Sequence, residues 1–214
     1  MAFNQPLSFN ETDFPLICRK LCKIDVDLKN IINTHGYPPL WKRKQGFETL
    51  IHIILEQQVS LASAKAALNK LKEKIGTVTP QKILLLTDAE LKACYFSRQK
   101  IIYAKHLATA IIHKELSLKK LSGAHDEAVR QELKKIKGIG DWTVDVYLMM
   151  VLQRTDLFPL GDIALINSIK EVKRLPKHTG KEEIILIAEN WRPYRTVAAF
   201  ILWHSYLCRR NRKY

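Results

Sequence analysis

The chain lacks most of what would place a protein in a membrane or outside the cell. Its longest apolar run, Val197 to Trp203, is too short to span a bilayer and is bracketed by Arg195 and His204. The start, Met1-Ala-Phe-Asn-Gln, has neither a basic opening nor an apolar stretch behind it, so no signal peptide is legible. The expectation is an intracellular protein with no membrane partner. Cysteine is scarce as well. The four present, Cys18, Cys22, Cys94 and Cys208, form no Cys-x-x-Cys pair, which argues against a zinc ribbon and a thioredoxin-like redox motif. Cys18 and Cys22 fall four apart on a helical stretch, the spacing of two buried small residues. Alternating strand patterns are rare, and neither an internal repeat nor a low-complexity linker interrupts the chain.

Acidic residues are outnumbered. Thirty-five Lys and Arg stand against 21 Asp and Glu, a net charge of +14 on 214 residues. A surplus of that size favours polyanion binding through counterion release, whatever sequence is read. The positive residues are spread along the chain; only Arg209-Arg-Asn-Arg-Lys213 reads as a basic extension.

What is abundant is helical periodicity. The length allows one good-sized core or two small lobes. Leu50, Ile53 and Ile54, then Leu61, Ala64, Leu68 and Leu71, recur at three- and four-residue intervals, as a buried helical stripe does. Similar patterns run through Leu107–Ile111, Val144–Leu152, Ile163–Val172, Ile184–Ala188 and Val197–Leu207. The punctuation agrees: Gly36-Tyr-Pro-Pro39, Gly76-Thr-Val-Thr-Pro80 and Arg174–Gly180 are breaks, and Thr87-Asp-Ala-Glu90 has capping-box spacing. The fold expected is all-α and two-lobed. Residues 1–45 form an N-terminal helical segment packing with the C-terminal lobe, 46–135 a central helical lobe, and 136–214 a hairpin and C-terminal helices.

The densest signal is Leu133-Lys-Lys-Ile136-Lys-Gly138-Ile-Gly140-Asp-Trp142-Thr143. It reads as helix, glycine hairpin, helix. Gly138 stands where a helix end asks for a left-handed residue, so a plain C-cap would explain it. Gly140, so close behind, is harder to explain by capping. A Gly-Ile-Gly turn lets backbone N–H groups approach an anion, and the next helix begins there with its positive dipole end outward. Ile136 and Ile139 are apolar pins, and Asp141 reads as a cap for the second helix. Downstream, Phe158-Pro-Leu-Gly-Asp162 precedes an amphipathic helix. Asp162 can be an N-cap and nothing more. A carboxylate at a helix N-terminus is also favoured in its ionised form by the dipole, which suits a reaction that develops positive charge.

These residues resemble the helix–hairpin–helix (HhH-GPD) DNA glycosylase superfamily, and within it the bacterial-type 3-methyladenine (alkylbase) DNA glycosylases. Three further segments carry the resemblance in the right order. They are Phe47-Glu-Thr-Leu50 through Gln57-Gln58-Val-Ser60, Phe96-Ser-Arg98-Gln-Lys100, and Trp191-Arg-Pro-Tyr-Arg195-Thr-Val-Ala-Ala199 with Trp203. The resemblance implies an active-site cleft between lobes, with Asp162 as the catalytic aspartate. It implies that Gly138, Ile139, Gly140 and Thr143 form the DNA-binding hairpin, with a monovalent cation at the hairpin carbonyls. Gln57 and Gln58 match the segment that enters the duplex, and Trp203 an aromatic of the base pocket. Trp142 stands where lyase-competent relatives carry a nucleophilic lysine, which implies a monofunctional enzyme.

The implied chemistry suits these residue types. The partner is double-stranded DNA containing damaged bases, from which the nucleotide must be flipped. Trp142, Trp203 and Tyr147 would form an electron-rich base pocket for a cationic alkylated purine. The four-cysteine loop that holds an iron–sulfur cluster in some relatives is missing, so no cofactor is expected. A monomer would suffice, in the bacterial nucleoid or a eukaryotic nucleus. Two other readings stay open: a non-catalytic hairpin module that binds duplex DNA, and a bifunctional lyase using Lys137 or Lys170. Val146 departs from the family by replacing an aromatic, and residues 1–40 leave no room for a β-rich subdomain.

Overall fold

The structure is a computed structural model and describes residues 7–211. The Met1-Ala-Phe-Asn-Gln start, and Arg212 and Lys213 of the basic extension, lie outside the described residues. Thirteen helices and no strand occur among the described residues, so the all-α expectation is met. In chain order they are α1 (Asp13–Ile24), α2 (Val26–His35), α3 (Phe47–Glu56), α4 (Leu61–Ile75), α5 (Pro80–Leu85), α6 (Asp88–Ala93) and α7 (Arg98–Ile112). There follow α8 (Leu118–Leu121), α9 (Asp126–Lys134), α10 (Asp141–Met150), α11 (Ile163–Val172), α12 (Lys181–Glu189) and α13 (Arg195–Arg209). Among the described residues no helix is long and apolar enough to cross a membrane.

Two compact units share these helices. One is built from Arg43–Tyr147, the other from Leu7–Lys42 together with the chain from Leu148 onward. The hairpin therefore belongs with the central helices, whereas the sequence grouped it with the C-terminal ones. The reason is packing: Ile136 and Ile139 are buried in the first unit, and the boundary falls within α10.

In the first unit α3 is the central apolar element. Leu50, Ile51, Ile53 and Ile54 are all fully buried, each worth about 1.5–3 kcal/mol of transfer free energy. Against it pack α4, whose buried residues are Ala64, Ala67, Leu68 and Leu71, and α7, whose buried residues include Ile101, Ala104, Leu107 and Ala108. Starts are set by caps: Ser60 Oγ accepts from Ser63 N, Pro80 opens α5, and Thr87 with Glu90 forms the expected capping box. The end of α3 is held from two sides. Lys100 Nζ donates to Leu55 O at 2.7 Å, and Arg43 forks onto the buried Glu56 carboxylate at 2.9 and 2.7 Å. Burial pushes the Lys100 ammonium below its ordinary range, although its Nζ sits at the C-terminal carbonyls of α3, the end of a helix dipole that favours a cation.

In the second unit α13 is the buried axis, with Thr196 to Leu202 inaccessible and α1, α2 and α11 around it. Phe9, Phe14, Trp41, Phe200 and Trp203 form one aromatic cluster with ring centroids 5.3–6.2 Å apart. Asp25 caps α2 and also accepts from Trp191 Nε1 at 2.8 Å and Lys173 Nζ at 2.7 Å, joining three separate segments. Trp191 is thus a core residue. Cys18 is buried, which pushes its thiol up to about 12 and leaves it inert at neutral pH. Arg209 and Arg210, read as part of a loose basic extension, both pair with Glu171, at 3.0 and 2.7 Å.

Candidate active site

The hairpin connects α9, which ends at Lys134, to α10. Ile139 N closes the turn onto Ile136 O at 3.0 Å, and Lys137 N donates to His106 Nδ1 of α7 at 3.0 Å. The two glycines differ. Gly138 has φ +90°, and a Cβ added there would lie 2.1 Å from Tyr103 Cγ, so the ring of Tyr103 sits on the glycine itself. Gly138 is required by the protein's own packing. Gly140 has no such requirement: a Cβ there would meet nothing within 4 Å. It is exposed, and its carbonyl receives Val144 N at 3.1 Å, so it stands at the open N-terminus of α10. That is where backbone N–H groups and the helix dipole favour an anion.

Gln57 and Thr143 do not present themselves to a ligand as expected. Gln57 Nε2 donates to Gly138 O at 2.8 Å and to Thr143 Oγ1 at 2.9 Å. Thr143 is 2% exposed, and the Ile139 side chain is buried. These residues shape the hairpin from within, while Lys137 and Gly140 are exposed. Gln58 is exposed, with φ +59° in the turn between α3 and α4. Asp141 also departs from its reading as a cap. Its carboxylate pairs with Lys134 at 2.9 Å and Arg130 at 3.2 Å, cations of α9 that hold it below the usual carboxylate range. The acidic neighbour of the hairpin is thereby neutralised within the protein. Burial pushes the nearby Asp145 up, although Arg130 reaches it at 2.6 Å.

Asp162 stands at the N-cap of α11 in the second unit. Its Oδ1 accepts from Leu165 N at 2.8 Å and from Trp203 Nε1 at 3.0 Å. The first bond is ordinary capping. The second comes from α13 and fixes the carboxylate from the side. Trp203 is 8% exposed; it stacks on Phe200 with centroids 5.8 Å apart and meets Trp41 edge-on at 6.2 Å. Its indole is largely enclosed, with its N–H committed to Asp162.

The other two expected pocket residues lie in the first unit. Trp142 is half-buried at the second position of α10. Tyr147 is a correction: it is fully buried and has no face on which a base could stack. Its hydroxyl lies 3.4 Å from Gln45 Nε2, and burial pushes the phenol up. Of the lysines considered for lyase chemistry, Lys137 is exposed and Lys170 Nζ donates to Lys177 O at 2.7 Å. Sequence reasoning missed Tyr103, His106 and Trp41. Tyr103 and His106 lie three apart on α7, one helical turn, which marks a shared face but not its partner. Nothing in the periodicity pointed to Trp41, which lies outside any helix.

The chain is similar to proteins of one family. Residues 51–193 match the family model described as HhH-GPD superfamily base excision DNA repair protein. DNA-3-methyladenine glycosylase 1 of Schizosaccharomyces pombe is 32% identical over 192 residues, covering 86% of this chain and 84% of the relative. YfjP of Bacillus subtilis, named for the same activity, is 31% identical over 186 residues; there the chain spans 65% of the relative's length, just under two thirds. Among solved structures, a 3-methyladenine DNA glycosylase of S. pombe in complex with abasic DNA superposes with a TM-score of 0.80 at 30% identity. That match covers 87% of this chain and 94% of the other. A DNA-3-methyladenine glycosidase of Bacillus halodurans gives 0.73 at 28% identity, over 94% and 91%.

Proposed function

The chain belongs to the HhH-GPD superfamily of base excision DNA repair proteins, and from that membership we propose that it is a monofunctional DNA glycosylase. Its substrates in this reading are alkylated purines of the 3-methyladenine and 7-methylguanine type in double-stranded DNA. It acts inside the cell, as a monomer, one copy at each lesion. A base within the stack is out of reach, so the nucleotide is extruded at a cost of a few kcal/mol. The open N-terminus of α10 at Gly140 takes a backbone phosphate, and exposed Gln58 fills the space the base leaves. Trp142 offers its ring to the cationic purine, a contact worth about 0.5–2 kcal/mol.

Asp162 carries the chemistry. As the glycosidic bond lengthens the sugar becomes oxocarbenium-like, and a fixed carboxylate stabilises that charge and orients the attacking water. No general acid is needed, because a cationic base is already a good leaving group. Hydrolysis by water requires no cofactor and no iron–sulfur cluster. A monovalent cation at the hairpin fits the oxygen donors present. The carbonyls of Ile136 and Gly138 each accept one protein hydrogen bond and keep a second lone pair for the ion. These carbonyls would hold such an ion, which would supply positive charge to the phosphate site.

The observation that supports the catalytic reading is the second donor on Asp162. Capping needs only Leu165 N, whereas Trp203 Nε1 fixes the carboxylate's direction as well. The test is release of free 3-methyladenine and 7-methylguanine from methylated duplex DNA, with wild type beside Asp162→Asn. Asparagine keeps an acceptor for both N–H donors, so the fold and DNA binding persist. Release is expected to fall at least about a hundredfold in the variant. Equal release by the two proteins removes Asp162 from the mechanism and leaves a DNA-holding module.

A further inference from the structure

Two elements of the first unit that are remote in sequence are tied by one side chain. Gln57, in the turn that follows α3, donates from its single amide nitrogen to Gly138 O at 2.8 Å and to Thr143 Oγ1 at 2.9 Å. One acceptor lies in the hairpin and the other in the first turn of α10. A primary amide nitrogen, with its two hydrogens, satisfies both at once. The turn is anchored behind Gln57 as well, since Lys100 holds Leu55 O, Arg43 holds Glu56, and Ser60 caps α4. Between these anchors stands Gln58, exposed, with its backbone in the left-handed region at φ +59°. A non-glycine residue keeps that conformation only where its surroundings hold it.

We propose that Gln57 is a positioning residue that latches the Gln58 turn to the hairpin, so that gripping the DNA backbone and displacing a base are done by one rigid body. The proposal rests on the glycosylase reading above. Displacing a base is uphill, so an element that enters the stack recoils unless it is braced against the element that holds the strand. The latch supplies that brace without touching DNA. It also accounts for the burial of Thr143, whose hydroxyl serves Gln57 inside the protein.

The experiment uses the whole chain and a duplex with 2-aminopurine beside a tetrahydrofuran abasic analogue, whose fluorescence rises when the probe unstacks. Wild type is compared with Gln57→Met, which cannot donate to Gly138 O and adds no charge beside the hairpin, and with Thr143→Val and Thr143→Ser. The rate of unstacking is expected to fall on the order of tenfold in Gln57→Met and severalfold in Thr143→Val, and to recover in Thr143→Ser. Affinity for undamaged duplex falls far less than the unstacking rate, and Thr143→Ser restores the rate, a split that a merely structural role would not produce. Unstacking at the wild-type rate in the variants overturns the latch. A parallel loss of affinity for undamaged duplex also overturns it. Release of 3-methyladenine by wild type separates the two levels. Release with unchanged variants removes the latch alone, whereas wild type with neither release nor unstacking removes the latch and the glycosylase reading together.

Discussion

Trp203 and Asp162, 41 positions apart, meet at 3.0 Å, the indole N–H donating to the same carboxylate oxygen that Leu165 N caps. Trp203→Phe keeps an aromatic ring against Phe200 and Trp41 and removes only the donor. Hydrogen bonds to charged groups contribute roughly 1.5–3 kcal/mol, so kcat for base release should fall about tenfold or more while KM and the melting temperature change little. A double-mutant cycle with Asp162→Asn checks the route. If Trp203 acts through Asp162, the second substitution adds almost nothing to the first. Additive losses would assign Trp203 an independent contact with the base.

Much of this could be read from the chain alone, because it depended on local chemistry. The stripe Ala64, Leu68, Leu71 is the buried face of α4, Thr87 and Glu90 do form a capping box, and Asp162 does begin a helix. What could not be read depends on which way a side chain faces. Tyr147 lies on the same helix as Trp142, yet its ring is enclosed in the core. Gln57 and Thr143 are 86 positions apart, and neither carries a sign of the other. Gly138 was legible as a left-handed helix end, but the Tyr103 ring that lies on it was not.

The lyase alternative has a direct test. With Trp142 where an amine would be needed, wild type should give no covalent adduct when incubated with abasic DNA and borohydride. Trp142→Lys should gain a trapped adduct, read by gel mobility. Trapping by wild type that disappears in Lys137→Ala or Lys170→Ala would replace the monofunctional reading.

Stability at acid pH should depend on Asp25. Burial alone would push its carboxyl up, but the bonds from Lys173, Trp191 and Leu28 N more than offset it and hold it below the usual carboxylate range. A depressed carboxylate contributes stability that is present above its unfolded value, about 3.9, and is lost as pH falls through the folded one. Lys173 gives the opposite limb. Burial lowers it, the bonds to Asp25 and Asp27 outweigh that, and its contribution is complete below pH of about 10 and lost above. Asp25→Asn should cost about 3 kcal/mol at neutral pH and flatten the acid limb, measured by urea unfolding from pH 3 to 7. An unchanged acid limb would show that another carboxylate controls it.

The two hairpin glycines should respond in opposite ways to alanine. At Gly138 the left-handed φ and the Tyr103 ring both resist a methyl group, so Gly138→Ala should lower the melting temperature and shift the hairpin, at a cost of at least about 1 kcal/mol. At Gly140 a methyl group meets open space, and the folded protein should be as stable as wild type. If a phosphate approaches the backbone there, the added methyl obstructs it. Gly140→Ala should then weaken binding to damaged and undamaged duplexes alike, with the slope of log affinity against log salt reduced by about 1. Undiminished affinity in a stable Gly140→Ala protein would mean that the phosphate is held elsewhere.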